Sequence, residues 1–258
     1  MSSAAFWSER VRRHGHTGWS DLATYAFDQR LRLKAVRELL CDVLSAAPAQ
    51  RLARALDHGC GVGDFCSVLA QHVDAVVGYD PSPEVVARAA QLNAAANVRY
   101  GSSADEVWAG RYDLILSITV LQHVVDDTEL QALVQRFGQA LNPGGRIVVL
   151  ETLAEVARDA GYLKRRTLAQ LLAVFAAAGL EPLMQRGFYH PTECPTPAYR
   201  AYRQRWVVRG LARLAAWRVA PASALLKRIA QAAADADTGY LDQPESPTQL
   251  LVFGRGAA

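Results

Sequence analysis

The chain has 258 residues, of which 51% are apolar, 21% charged and 8% aromatic, with a net charge of +3. That composition suffices for one sizeable core and excludes a disordered chain, whose mark is low hydrophobicity with high net charge. It offers no run of about 18 uncharged apolar residues for a membrane span.

The first residues, Met1 to Arg10, lack the basic start and apolar stretch of a secretory leader. Cys41, Cys60, Cys66 and Cys194 have no paired spacing. They read as free thiols, and the expected setting is the cytoplasm.

Residues 1–35 read as an N-terminal extension, either a helical lid or a folded-back structural loop, that contains His14-Gly15-His16-Thr17-Gly18-Trp19. Short aliphatic runs then alternate with helical patterns. Strands are expected at Ala53–Asp57, Asp74–Tyr79, Asn97–Tyr100, Tyr112–Ser117 and Arg146–Glu151. Helices are expected at Asp64–Gln71, Ser82–Ala95 and Thr128–Ala140. Ser82-Pro83-Glu84 marks a helix start, with a capping hydroxyl, a proline in the first turn and an acid beside it. Thr167 opens another helix, which stops at Gly179. A sixth strand is expected near Glu181–Tyr189 and a seventh at Gln249–Phe253. This alternation predicts an α/β fold, a mostly parallel sheet with helices on both faces.

Residues 191–246 stand outside the alternation. They begin with Pro191, Pro195 and Pro197 and continue as arginine-rich helix, with a break expected at Pro221. Between Arg186 and Arg228 nine basic residues face one acid, Glu193, so the remainder of the chain is net −5. The expected organisation is a lid over 1–35, a core over 36–190, a basic helical insertion over 191–246 and a final core strand over 247–258.

Four motifs carry chemistry. The first is Leu56-Asp57-His58-Gly59-Cys60-Gly61-Val62-Gly63 at the end of the first strand, where glycines let backbone approach a ligand closely. A dinucleotide loop would place its third glycine where Asp64 stands, and no Gly-Lys-Ser/Thr follows for a triphosphate loop. The second is Asp80, at the end of the second strand, whose carboxylate can accept both hydroxyls of a ribose. The third is Tyr112 to Val124, containing Ser117 and His123. The fourth is the turn Leu141-Asn142-Pro143-Gly144-Gly145.

In this order, over roughly residues 50–155, the motifs resemble those of the class I S-adenosylmethionine-dependent methyltransferases. The resemblance implies a Rossmann-like seven-stranded sheet whose last strand is antiparallel, with an insertion between strands six and seven beside the substrate opening. It implies that Gly59, Gly61 and Gly63 line the methionine part of S-adenosyl-L-methionine and that Asp80 holds the ribose. Asp57 would orient the loop and the amino end, and Ser117 would contribute backbone. Ser103 stands where the family often has an acid near the adenine. Cys60, Pro81, Ser82 and Ala104 complete the expected cofactor set.

A hydroxyl or activated-carbon acceptor benefits from a base with a pKa near working pH, and histidine suits that task. His123 reads either as that base or as a brace for the loop beside the cofactor. His14 and His16 are competing bases; a metal there lacks further ligands at telling spacing. Trp7, Trp19 and Tyr25 are candidates to pack on cofactor or substrate, Trp19 and Tyr25 being the expected substrate contacts, or else they are core residues. For the basic insertion three uses stand open. One is a helical cap or homodimer face, another is recognition of an anionic or carrier-linked substrate through Arg200 and Arg203, and the third is adsorption to anionic lipid. Nucleic acid is not an expected partner. The expected function is methylation of a small molecule at oxygen or carbon. The alternatives are a modifier of RNA or protein and a non-catalytic cofactor-binding partner.

Overall fold

The computed structural model describes residues 3–45, 52–159 and 161–256. Met1 and Ser2 of the expected extension, 46–51 and 160 of the expected core, and 257–258 of the expected final segment lie outside the described residues.

The chain opens with helices α1 (Ser3–His14) and α2 (Leu22–Ser45). There follow β1 (Leu52–His58), α3 (Asp64–Leu69), β2 (Val73–Tyr79), α4 (Pro83–Leu92), β3 (Val98–Gly101), α5 (Ala104–Trp108) and β4 (Tyr112–Ile118). A single 3-10 turn, Leu121–His123, leads to α6 (Asp127–Ala140) and β5 (Leu141–Thr152). A small hairpin, β6 (Arg158–Asp159) and β7 (Lys164–Arg165), precedes α7 (Leu168–Ala177) and β8 (Leu180–Phe188). Three helices then run in succession, α8 (Pro197–Gln204), α9 (Trp206–Ala216) and α10 (Ala220–Asp235), before β9 (Thr248–Arg255). No helix among the described residues is long and apolar enough to cross a membrane.

Seven strands form one sheet in the order β3-β2-β1-β4-β5-β9-β8. The pairs β2–β3, β1–β2, β1–β4 and β4–β5 are parallel, and β9 lies antiparallel on β5, from Ile147 opposite Phe253 to Thr152 opposite Thr248. The seven expected strands and the antiparallel last one are all present. β5 starts earlier than expected: Leu141–Gly145, read as a turn, already belongs to the strand. Its register against β4 shifts between Tyr112 and Leu114, and Gly144 has φ +74°, so this stretch is irregular.

The alternation of short runs reflects burial on both faces. Ile115, Ile147, Val149, Leu251 and Phe253 pack with Leu130, Val134 and Phe137 of α6 and with Leu171 and Phe175 of α7. The Phe175 and Phe253 rings stack at 3.8 Å. Thr167 caps α7 in a reciprocal box with Gln170, as its position before the apolar run implies.

The chain divides into two compact units. The first holds Met1–Thr17, Ala49–Arg186 and Pro247–Ala258; the second holds Gly18–Pro48 and Gly187–Ser246. The expected boundaries at 35/36 and 190/191 are therefore displaced. The extension is not one piece, because α1 belongs with the sheet while α2 packs along α10 and buries Phe27 and Leu31 within the second unit. Also in the second unit, Arg32 pairs with Asp28 at 2.9 Å and donates to the Tyr189 hydroxyl at 2.9 Å. The helix break expected at Pro221 is present a few residues earlier, between Ala216 and Ala220, and the helix resumes to Asp235 as expected. Pro221 sits in the first turn of α10, where a missing N–H costs nothing, and the chain turns just before it, at Arg218 with φ +59°.

Candidate functional site

Strand order reverses between β1 and β4, and a ligand crevice in such a sheet opens at the carboxyl ends of the strands flanking that point. The glycine loop leaves β1 there. The N–H groups of Gly59 and Cys60 both donate to the Tyr79 carbonyl, at 2.7 and 2.8 Å, so the loop hangs from the end of β2. Gly61 has φ +53°, and a β-carbon on it would lie 2.6 Å from Thr17 Oγ1. Conformation and space both disfavour a side chain at that position.

Asp80 follows β2 and is buried, accepting the Ser82 N–H at 3.0 Å and the Gly61 N–H. Burial pushes its carboxyl up to about 6. Asp57 is buried at the end of β1 and is pushed up to about 7. Burial is the main cause, Asp64 and Asp80 add to it, and the Cys66 thiol, donating at 3.1 Å, opposes it. Two carboxyls held this way gain from a ligand that brings donors or positive charge. Ser117, buried at the end of β4, has no hydrogen-bond partner for its Oγ among the described residues. A backbone cradle, buried acceptors and an orphaned hydroxyl on adjacent strand ends fit a polar ligand that carries a diol and an ammonium group.

The other expected cofactor residues are placed as follows. Cys60 is buried in the loop, its thiol 3.6 Å from the Gly61 carbonyl. Pro81 is exposed. The Ser82 hydroxyl caps α4 by accepting the Val85 N–H and lies 2.8 Å from Ser8 Oγ, which ties α1 to the start of α4. Ser103 is exposed and caps α5, of which Ala104 is the first residue. These two hydroxyls are thus engaged in holding helix starts.

Helix α1 lies against the loop. Its Val11 and Trp7 pack with Val62 of the glycine loop and Val85 of α4. The Trp7 ring also meets His123 edge-on, with centroids 4.9 Å apart. His123 ends the 3-10 turn after β4, and its Nδ1 is 3.2 Å from the Tyr162 carbonyl. A carbonyl only accepts, so the proton sits on Nδ1 and Nε2 is left as the free base. Burial lowers its pKa; the Tyr162 bond opposes that and Arg10 adds to it. The ring is therefore neutral near pH 7.

Two residues that shape this turn escape sequence reasoning. Buried Glu151, on β5, accepts the N–H groups of Leu121 and Gln122 at 2.7 and 3.3 Å. Buried Arg166 donates to the carbonyls of Val124 and Leu121 and pairs with Asp127 at 2.8 Å. A lone acid at the carboxyl end of an aliphatic strand is the only signal of Glu151, and Arg166 has none.

His14 is the last residue of α1, and its pKa is lowered by burial first and then by Arg10 and Arg13. His16 is buried with its ring 6.2 Å from that of His14. No group of three or more His, Cys, Asp or Glu residues among the described residues could hold a metal. Trp19, Tyr25, Arg200 and Arg203 all belong to the second unit. Trp19 donates its indole N–H to Asp28 at 2.8 Å, and the Tyr25 ring lies against Gly18. Arg200 pairs with Glu193 and Arg203 with Asp21.

A methyltransferase-domain profile matches residues 32–188, more than half of the chain. The chain belongs to the class I S-adenosylmethionine-dependent methyltransferases. Among similar members is the ubiquinone biosynthesis O-methyltransferase of Xanthomonas oryzae pv. oryzae (strain PXO99A), 30% identical over 172 residues. That match spans 64% of this chain and 66% of the relative, just under two thirds of its length. Two solved structures share this methyltransferase fold. Magnesium protoporphyrin IX methyltransferase from Synechocystis PCC 6803, with bound S-adenosylmethionine, has TM-score 0.52 and 20% identity over 71% of this chain and 84% of its own. The [4+2]-cyclase SpnF has TM-score 0.53 and 19% identity over 87% of this chain and 82% of its own.

Proposed function

We propose that the protein transfers the methyl group of S-adenosylmethionine to a hydroxyl of a small molecule. The observation that carries this reading is the glycine loop hung on the Tyr79 carbonyl beside the buried Asp80 carboxylate. Asp80 would accept the ribose hydroxyls, Asp57 would face the amino end, and the loop backbone would line the methionine portion. The cofactor, when bound, supplies an electrophilic methyl on a sulfonium.

The chain's own residues then hold the acceptor in line and take its proton. His123, neutral with Nε2 free, suits that base role. The O-methyltransferase named among the relatives supports an oxygen acceptor over carbon. His14 and His16 are a weaker choice, since His16 is buried and the charged form of His14 is disfavoured by burial and then by Arg10 and Arg13. Arg200 and Arg203 each face an acid, so an anionic or carrier-linked acceptor is not required by them. A homodimer and a cytoplasmic setting belong to the same proposal; the latter rests on the four free cysteines.

The test is transfer of tritium-labelled methyl from the cofactor into a fractionated metabolite extract. Label in a low-molecular-weight product, lost in Asp80→Ala, is the expected result. Label in RNA or protein would move the substrate class to a macromolecule. Binding of S-adenosylhomocysteine by calorimetry without any label transfer would leave a cofactor-binding protein that transfers no methyl group.

A further inference from the structure

The second unit exposes a surface that the methyl-transfer reading does not use. From Cys194 to Ala234 the chain has eight cations and not one acid. Two tryptophans are almost fully exposed there, Trp206 at 80% and Trp217 at 83%, although the indole is highly buried on average in folded proteins. They stand at the two ends of α9, eleven residues apart. Eleven residues are about three turns, so both rings leave the same face, about 16 Å apart along the axis. Arg209 and Arg213, also exposed, fall between them on that face. Leu214, Val219 and Leu225 add exposed apolar surface at the corner with α10, while Val208 is buried on the opposite side.

We propose that this face of α9 and its turn into α10 docks on an anionic lipid surface. Indole rings are favoured at the level of lipid headgroups, and arginines between them meet the phosphates while their stems lie on apolar ground. Charge complementarity selects the occupant. A second copy joined about a two-fold axis would set the exposed Arg209 and Arg213 against their own copies. A neutral bilayer would satisfy the tryptophans and leave the cations unused.

The test is flotation of the full chain with vesicles of phosphatidylglycerol or of phosphatidylcholine. Flotation with the anionic vesicles alone is expected. Arg209→Gln with Arg213→Gln should weaken it roughly tenfold or more, because each cation near such a surface contributes on the order of fivefold. Trp206→Ser with Trp217→Ser should weaken it by about tenfold at least. Both pairs are solvent-exposed, and circular dichroism checks that the variants stay folded. Equal binding to both vesicle types, or unchanged binding of the tryptophan pair, overturns the proposal. So does a lipid-free dimer in sedimentation that the tryptophan pair converts to monomer, which would assign the face to a second copy. Flotation needs no catalysis, so its outcome and that of the label-transfer assay stand apart.

Discussion

The Trp7 indole and the His123 imidazole meet in a T-shaped pair, with ring centroids 4.9 Å apart and planes at 82°. One ring comes from the N-terminal helix and the other from the turn after β4, so α1 shields the residue best placed to act as base. If His123 takes the acceptor's proton, His123→Asn should lower kcat by about a hundredfold or more. The pH profile separates this role from mere bracing. Burial lowers the His123 pKa, so the acid limb of kcat should inflect below the ordinary imidazole value. Trp7→Ala admits water to the ring and should move that limb upward. An unmoved limb in Trp7→Ala, with normal turnover in His123→Asn, would leave His123 only a structural part.

Asp57 and Asp80 make the free protein's stability depend on pH in an unusual direction. Their folded values, about 7 and about 6, lie above the ordinary aspartate range because burial penalises the charge. A carboxyl raised on folding contributes stability that is full at low pH and lost as pH rises through its folded value. Between the ordinary aspartate value of about 4 and about pH 7 the cofactor-free protein should therefore lose melting temperature, with little further loss above. Asp57→Asn should remove part of that slope and stabilise the free protein at pH 8 by on the order of 1–2 kcal/mol. Thermal melts across this window check it; a flat profile for the unaltered chain contradicts the burial argument. S-adenosylhomocysteine affinity should change the other way, falling as Asp80 is protonated below about pH 6.

The sheet was readable because its strands are short aliphatic runs stopped by glycine or by a charged residue, and that pattern is local. Asp57, the glycines and Asp80 were legible for the same reason, as they end strands. What escaped is what packing decides. Nothing in Ser3–His14 says that Trp7 meets His123, or that Ser8 joins Ser82 across 74 positions of chain. The extension read as one lid because its two helices are adjacent in sequence, yet they belong to different units. Pro221 placed the break between the last helices a few residues late, because a proline is tolerated in the first turn of a helix and the chain already turns at Arg218.

Gly61→Ala is expected to be costly on two counts. An alanine at φ +53° is strained, and its β-carbon would press on Thr17 Oγ1. Together these should cost about 1–3 kcal/mol. The displaced loop should also weaken S-adenosylhomocysteine binding by tenfold or more, read by calorimetry. Thr17→Ala relieves the contact but not the strain, so in the double variant affinity should recover only in part. Full recovery would mean that space alone, and not backbone conformation, requires the glycine.

Glu151 sets the turn that carries His123 by accepting the N–H groups of Leu121 and Gln122 from within the sheet. Glu151→Gln keeps the shape but offers only one carbonyl oxygen, so one of the two N–H groups must find another partner. The hydrogen bonds lost are charge-assisted and buried, which makes a stability loss of about 1–3 kcal/mol the expected outcome. Because the turn is also held by Arg166 at Val124 and Leu121, it should loosen without collapsing. The kinetic signature is then a fall in kcat through a less fixed His123, with S-adenosylhomocysteine affinity nearly unchanged, since the glycine loop and Asp80 do not touch these bonds. Equal losses in kcat and in cofactor affinity would show instead that the whole strand edge had shifted. Asp127→Asn provides the contrast. It weakens the exposed partner that Arg166 shares with Lys164, ion pairs expected to contribute less than about 1 kcal/mol each, and it should leave kcat within about twofold.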